Sequence, residues 1–194
     1  MLKIEGWHGT TNIRKNKIFK TGFTYTKYIP GKTEQRHPND LGNGVYFFLP
    51  FHSNSGEHLA LAYVKKYKSK LLNQKGISPA LISATLTIES GEEIFYLDTP
   101  KNQALLAEFK QRFTKEITHE LANIVDNNAK KRACYLNKNQ GLLIELLLDL
   151  ANSHGKTFQA VQSETFTNVE GIKCYNGKNG REICIRDLDC ITIN

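Results

Sequence analysis

Three short stretches carry side chains that could do chemistry: GWHGTT (residues 6–11), LGNGVYFF (41–48) and GREICIRD (180–187). In the first, His8 ends a strand-like run just before Gly9, whose bare backbone lets a ligand approach, and Thr10, which can offer a hydroxyl. In the second, Gly42 and Gly44 lead straight into Val45, Tyr46, Phe47 and Phe48. So permissive a backbone at a strand entry has two readings, a tight turn into a core strand or a ligand passing close to the chain. In the third, Glu182 is a lone carboxylate opening an otherwise apolar strand beside the glycine-rich NGKNG (176–180). Singly, each is weak. A histidine at a strand end is more often a hydrogen-bonded structural residue than a catalytic one, and a strand-leading glutamate usually faces water.

Local patterns define the elements that must position these residues. Residues 3–8 read as a strand, and Thr10 or Thr11 can cap a helix that stops near Lys20 at Thr21-Gly22. Residues 24–43 form a long polar loop, of the kind more often functional or mobile than neutral. Residues 45–49 are a strand, and 56–72 an amphipathic helix with Leu59, Ala62, Tyr63 and Tyr67 on one side. ALISATLTI and EEIFYLD read as strands, residues 100–133 and 139–153 as helical, and 158–164, 182–187 and 190–193 as strands again. Strands at both ends around a helical block predict an α+β fold, a single domain over residues 1–194 with a helical insertion at about 100–153.

Composition narrows the setting. At 194 residues and 40% hydrophobic, with ten Phe, eight Tyr and one Trp, the chain can close one core. The longest apolar stretch, GLLIELLLDLA (141–151), is short for a membrane span, has helical spacing and carries Glu145 and Asp149. Glu5, His8 and Arg14 interrupt any signal-peptide core, so a soluble, cytoplasmic protein with no membrane partner is expected. Cys134, Cys174, Cys184 and Cys190 lack the paired spacing of a zinc site, and no metal is expected; Cys184 and Cys190 read as small hydrophobes in strands. The net charge of +7 and pI near 9.2 favour an anionic partner such as nucleic acid or a dinucleotide. The lysines look dispersed through YVKKYKSK, DNNAKKR and KCYNGKNGR, which a solvated basic face explains equally well.

Taken together, His8, Tyr46 and Glu182 resemble the H-Y-E triad of ADP-ribosyltransferases of the diphtheria-toxin and poly(ADP-ribose) polymerase type. WHGTTNIRKNKIFKTGF is similar to that family's histidine strand and following helix, LGNGVYF to its glycine-x-glycine-aliphatic-tyrosine-phenylalanine strand, and REICIRDLDCITI to its last strand pair. LALAYV puts Tyr63 where a second nicotinamide-stacking tyrosine is expected. The likeness covers roughly the first seventy residues and the last fifteen; residues 95–170 match nothing. It implies a split β-sheet core with flanking helices and NAD+ as co-substrate. Glu182 would hydrogen-bond the ribose 2′-hydroxyl and stabilise the cation. Tyr46 and Tyr63 would flank the nicotinamide, with the Gly9 backbone on the carboxamide and His8 on the adenosine ribose near Thr10. Gly42 and Gly44 would thin the backbone beside the cleft. Arg36 is the candidate for the pyrophosphate.

The chain departs from the family at two places. Ala60 stands where a serine often holds the carboxamide, a role open to Ser53 or Ser55. Gly180 stands two residues before Glu182, where enzymes modifying arginine or asparagine carry Glu or Gln, so an arginine-directed reaction is disfavoured. Lys178 and Arg181, with Lys173 and Tyr175 nearby, are candidates to face the acceptor, and Lys32, Arg36 and His37 form a second basic rim. The resemblance implies mono-ADP-ribosyl transfer, with RNA or DNA as acceptor ahead of protein, in an intracellular toxin or defence effector that would need an inhibitor protein. Plain NAD hydrolysis, a non-catalytic NAD or ADP-ribose sensor, and a nucleic-acid-binding module are the other readings. RNA 2′-phosphotransfer is disfavoured by Glu182.

Overall fold

Period-two runs of β-branched and aromatic residues set the strands, and helices fill the spaces between them. The computed structural model describes residues 1–32, 38–122, 136–166 and 177–194. Its elements in chain order are β1 (Leu2–Thr11), α1 (Asn12–Thr21), β2 (Val45–Leu49), α2 (Gly56–Tyr67), α3 (Ser69–Leu72), β3 (Pro79–Ile88), β4 (Ile94–Tyr96), α4 (Pro100–Arg112), α5 (Thr114–Ala122), α6 (Leu136–Ser153), β5 (Ala160–Thr165), β6 (Gly180–Ile185) and β7 (Ile191–Ile193). The fold is α+β.

Several bounds differ from the sequence expectation. β1 runs on to Thr11, which caps α1 by accepting from Arg14 N, and Gly22 at φ 75° ends that helix. The helix expected over 56–72 is broken at Lys68 into α2 and α3. The block expected over 100–133 breaks at Phe113 between α4 and α5, and its last residues lie outside those described, as do Cys134 and Cys174.

The seven strands form one sheet in the order β4-β5-β6-β2-β1-β3-β7, antiparallel except for β4 and β5. Its pairing is uneven. β1 and β3 match over ten residue pairs and β2 and β6 over five, whereas β1 and β2 meet at the single pair Trp7↔Phe48. Gly9 to Thr11 and Val45 to Tyr46 remain in strand conformation but exchange no ladder pairs, so a seam opens there between two halves of the sheet.

One face carries the main core. Val45, Phe47 and Leu49 from β2, Ile82 to Ile88 of β3, and Ile183 and Ile185 from β6 all belong to one buried cluster, closed by Phe23. Burying each such side chain contributes about 1.5–3 kcal/mol. On the other face, Phe95, Val161 and Cys184 pack against Leu106 and Phe109 of α4 and Ile144, Leu147 and Leu148 of α6. A smaller cluster under α2 joins Phe48 to Leu59 and Ala60, with Trp7 and Tyr63 against it.

Candidate active site

Register places the candidate residues on the three central strands. Phe48 of β2 faces Trp7 on one side and Glu182 on the other, and Tyr46 faces Cys184. Side chains alternate between faces along a strand. Trp7, Tyr46, Phe48 and Glu182 therefore share the face covered by the helices. His8 turns to the opposite face, where its ring lies edge-on to Phe23 and Phe47, with centroids 5.2 and 5.8 Å away. The structure thus brings Tyr46 and Glu182 together as side chains and joins His8 to them through the backbone.

That backbone link lies at the seam. His8 Nδ1 is 2.8 Å from the carbonyl oxygen of Tyr46, on the side where β2 has no ladder partner in β1. A carbonyl only accepts, so Nδ1 holds the proton and Nε2 keeps its lone pair in the neutral ring. Burial lowers the His8 pKa, and the nearby Lys68 and Arg14 charges lower it further against the opposing Tyr46 bond. His8 is a neutral imidazole whose Nε2 has no protein partner among the described residues.

Glu182 is half-buried, and burial pushes its pKa up to about 8, with the Asp40 carboxylate raising it further. The Thr165 hydroxyl beside it favours the charged form, yet it is buried without an aligned hydrogen-bond partner. Asp40, likewise raised mainly by burial, accepts from Leu41 N at 3.2 Å. Sequence reasoning passed over Asp40 and Thr165; both lie beside stretches that drew attention for other residues.

Tyr46 is fixed by its own loop. Its hydroxyl donates to Gly42 O at 3.1 Å and accepts from Leu41 N at 2.9 Å. Burial holds its pKa well above the ordinary tyrosine value. Tyr63 packs on Phe48 rather than on Tyr46, with ring centroids 5.7 Å apart, and Lys68 Nζ lies 5.9 Å from its own ring.

The glycines answer to packing. A Cβ on Gly9 would collide with the Ala60 carbonyl and Val64 of α2, so it is the helix that comes close to this backbone. Gly42 has φ 86°, and a Cβ there would strike the Glu145 carboxylate; one on Gly44 would strike β6 at Ile185 and Cys184. The expected thinning beside a ligand cleft is, in the structure, room for Glu145 and for the neighbouring strand. Ser55 caps α2 by accepting from His58 N at 3.1 Å, leaving exposed Ser53 as the other hydroxyl in that segment. Thr10 is buried.

Behind Gly42 lies a polar network anchored on Glu145, buried in α6. Its carboxylate accepts from Asn43 N at 2.6 Å and Asn43 Nδ2 at 2.5 Å, and from Arg186 at 2.5 and 3.0 Å. Asn43 also pairs with both backbone groups of Tyr28, whose hydroxyl donates to Glu120 of α5. The described part of the long loop is thus tied down by the helical block.

The cations proposed to face an acceptor are engaged. Lys178 Nζ is 2.5 Å from Asp98 and 3.5 Å from Glu164, and its pKa is raised chiefly by the Asp98 bond. Arg181 lies 3.7 Å from Glu164 and 5.2 Å from the centroid of the Phe51 ring. Arg36 and His37, like Lys173 and Tyr175, lie outside the described residues. A cavity of about 640 Å³ opens between Tyr25–Pro30, α6 and Arg186, and none of His8, Tyr46 and Glu182 lines it. Among the described residues no group of three His, Cys, Asp or Glu could hold a metal, and no helix is long and apolar enough to cross a membrane. No family model, curated protein or solved structure matches this chain.

Proposed function

We infer that the chain is an NAD-consuming ADP-ribosyltransferase with the split-sheet core of that family, and that Glu182 stabilises the ribosyl cation. The observation that carries this reading is the Glu182 carboxyl, with its pKa raised to about 8, on a central strand beside Tyr46 and next to the seam between β1 and β2. Breaking the glycosidic bond sends its electron pair to the nicotinamide nitrogen and leaves positive charge on the ribosyl carbon. A carboxylate in poorly solvated surroundings stabilises that charge far better than one in water. At neutral pH the free site holds a proton on Glu182, and arrival of the cationic nicotinamide draws it off, so binding and ionisation are coupled. An acceptor lone pair then attacks the ribosyl carbon and its proton is lost. Spanning Glu182 and His8 requires the dinucleotide to cross the seam, with the Nε2 lone pair accepting from a ribose hydroxyl.

NAD hydrolysis is the second reading, since water can replace the acceptor. It is favoured by the pairing of Lys178 and Arg181 with Asp98 and Glu164, which leaves neither as a free acceptor-binding cation. The two readings share a test. Nicotinamide release from NAD is expected from the wild-type protein and is expected to fall by about 10²–10³ in Glu182→Gln while the fold survives. Transfer of labelled ADP-ribose to RNA, DNA or protein separates transferase from hydrolase. No nicotinamide release from folded wild-type protein, or full release from the variant, would refute both.

A further inference from the structure

The positive charge of the chain is concentrated in one stretch of the sequence. Residues 12–76 hold twelve Lys and Arg against three Asp and Glu, a surplus larger than the +7 of the whole chain. Nine of those cations sit on α1, α2, α3, the break between the last two at Lys68 and the turn after α3, with Glu57 as the one acid there. These pieces are neighbours: Asn12, the first residue of α1, bonds to Gly76 O at 2.9 Å and accepts from Ser78 N at 3.1 Å. The charges of Arg14 on α1 and Lys68 after α2 both reach His8.

What sets this pole apart is the density of its cations and the scarcity of acids beside them. The Lys and Arg in the described ion pairs are Lys156, Lys178, Arg181 and Arg186. The four cations of α1, with Lys65, Lys70 and Lys75, make no ion pair among the described residues. α1 has no buried residue; Ile13 and Phe19 are 57% and 53% exposed, and Lys15 Nζ lies 5.4 Å from the Phe19 ring centroid. A membrane-surface helix needs a continuous apolar face, and α1 offers two exposed apolar side chains among its charges. Unpaired cations around an exposed aromatic instead suit a phosphate backbone with a stacked base. The pole also leads to the candidate site, since Lys68 lies over Tyr63, Tyr63 packs on Phe48, and Phe48 faces Glu182 across the strand pair.

We propose that α1 together with α2–α3 forms a nucleic-acid-binding surface that delivers a single strand to the Glu182 site. Binding itself is independent of NAD chemistry; its role in presenting an acceptor rests on the transferase reading. The surface differs from the loops around Arg36 and Lys178 to which the sequence pointed.

The test is fluorescence anisotropy of short labelled RNA and DNA strands, without NAD, across a salt series. The proteins are the wild type, Lys17→Glu/Lys20→Glu combined with Lys65→Glu/Lys70→Glu, and the control Lys101→Glu/Lys110→Glu on α4. The expected result is salt-sensitive binding by the wild type, a loss of at least about tenfold with a flatter salt slope in the fourfold variant, and a much smaller change in the control. All the substituted side chains are exposed, and thermal scans verify the folds. Absence of binding by the wild type, equal losses in both variants, or binding to phosphatidylserine vesicles in place of the strands would overturn the proposal. Nicotinamide release from the same proteins keeps the two conclusions apart. Strand binding without release defeats the transferase and leaves the surface standing, and release without strand binding does the reverse.

Discussion

Glu182 ties the chemistry of the site to the stability of the fold. Its ordinary pKa of 4.5 is raised to about 8 in the folded protein, first by burial and then by Asp40. Between those values the folded state holds a proton that the unfolded chain has released, so this stabilisation is complete below about pH 4.5 and is lost as pH rises through 8. Glu182→Gln stays neutral and escapes that loss. The variant is expected to melt above the wild type near pH 9 and to match it near pH 5. The difference at alkaline pH has an upper bound of roughly 4–5 kcal/mol, reduced by whatever solvent the carboxyl retains. Thermal scans of both proteins across that range check it, and identical pH profiles would mean that Glu182 titrates as a solvated carboxylate. On the transferase reading, the same coupling is expected to make NAD affinity rise with pH towards 8 in the wild type. The raised pKa itself was not legible, because it arises from the strand packing around Glu182 and from Asp40, far away in the chain. The sequence showed where a carboxylate stood, and packing decided its charge.

Elements with a clear period were legible, and long-range pairings were not. The alternation of β3 appears directly in its burial, with Ile82, Ala84, Leu86 and Ile88 inside. Glu145 stood out as a charge in the apolar run of α6, but its partners are 102 residues away at Asn43 and 41 away at Arg186. No local pattern could name them. Their bonds explain why the helical block matters to a site built on strands: Glu145 of α6 holds Asn43, and its neighbours Leu41 and Gly42 hold the Tyr46 hydroxyl. Glu145→Gln would leave the Arg186 charge largely buried without its counter-ion, an expected cost of about 3–5 kcal/mol. Replacing the pair together, Glu145→Leu with Arg186→Met, is expected to recover much of that stability, since buried ion pairs often do little better than apolar packing. Denaturant unfolding of both variants is the measurement. Equal losses in the two would show that the bonds to Asn43, rather than the ion pair, make Glu145 necessary.

At the scale of the molecule, the sheet poses a question of cooperativity. Its halves share one ladder pair, Trp7↔Phe48, reinforced by the His8 bond to Tyr46 O, and a ladder this short would let them part independently. The core argues the opposite, because β2 and β6 on one side of the seam and β3 on the other contribute to the same buried cluster. Composition predicts a chain able to close a core, and one buried cluster does span the seam while others cover the opposite face and the underside of α2; the seam has no signature in composition or period, since β1 and β2 remain strand-like on both sides of it. The sole tryptophan is Trp7 itself, at the junction, so its fluorescence reports the seam while far-UV circular dichroism reports the whole. If the shared core dominates, the two signals follow one transition with a common midpoint, as for other two-state domains. A fluorescence change well before the loss of secondary structure would show that the halves separate first. In that case the proposed dinucleotide, bridging the seam, would have to hold them together, and on that reading adding NAD is expected to draw the two midpoints into one.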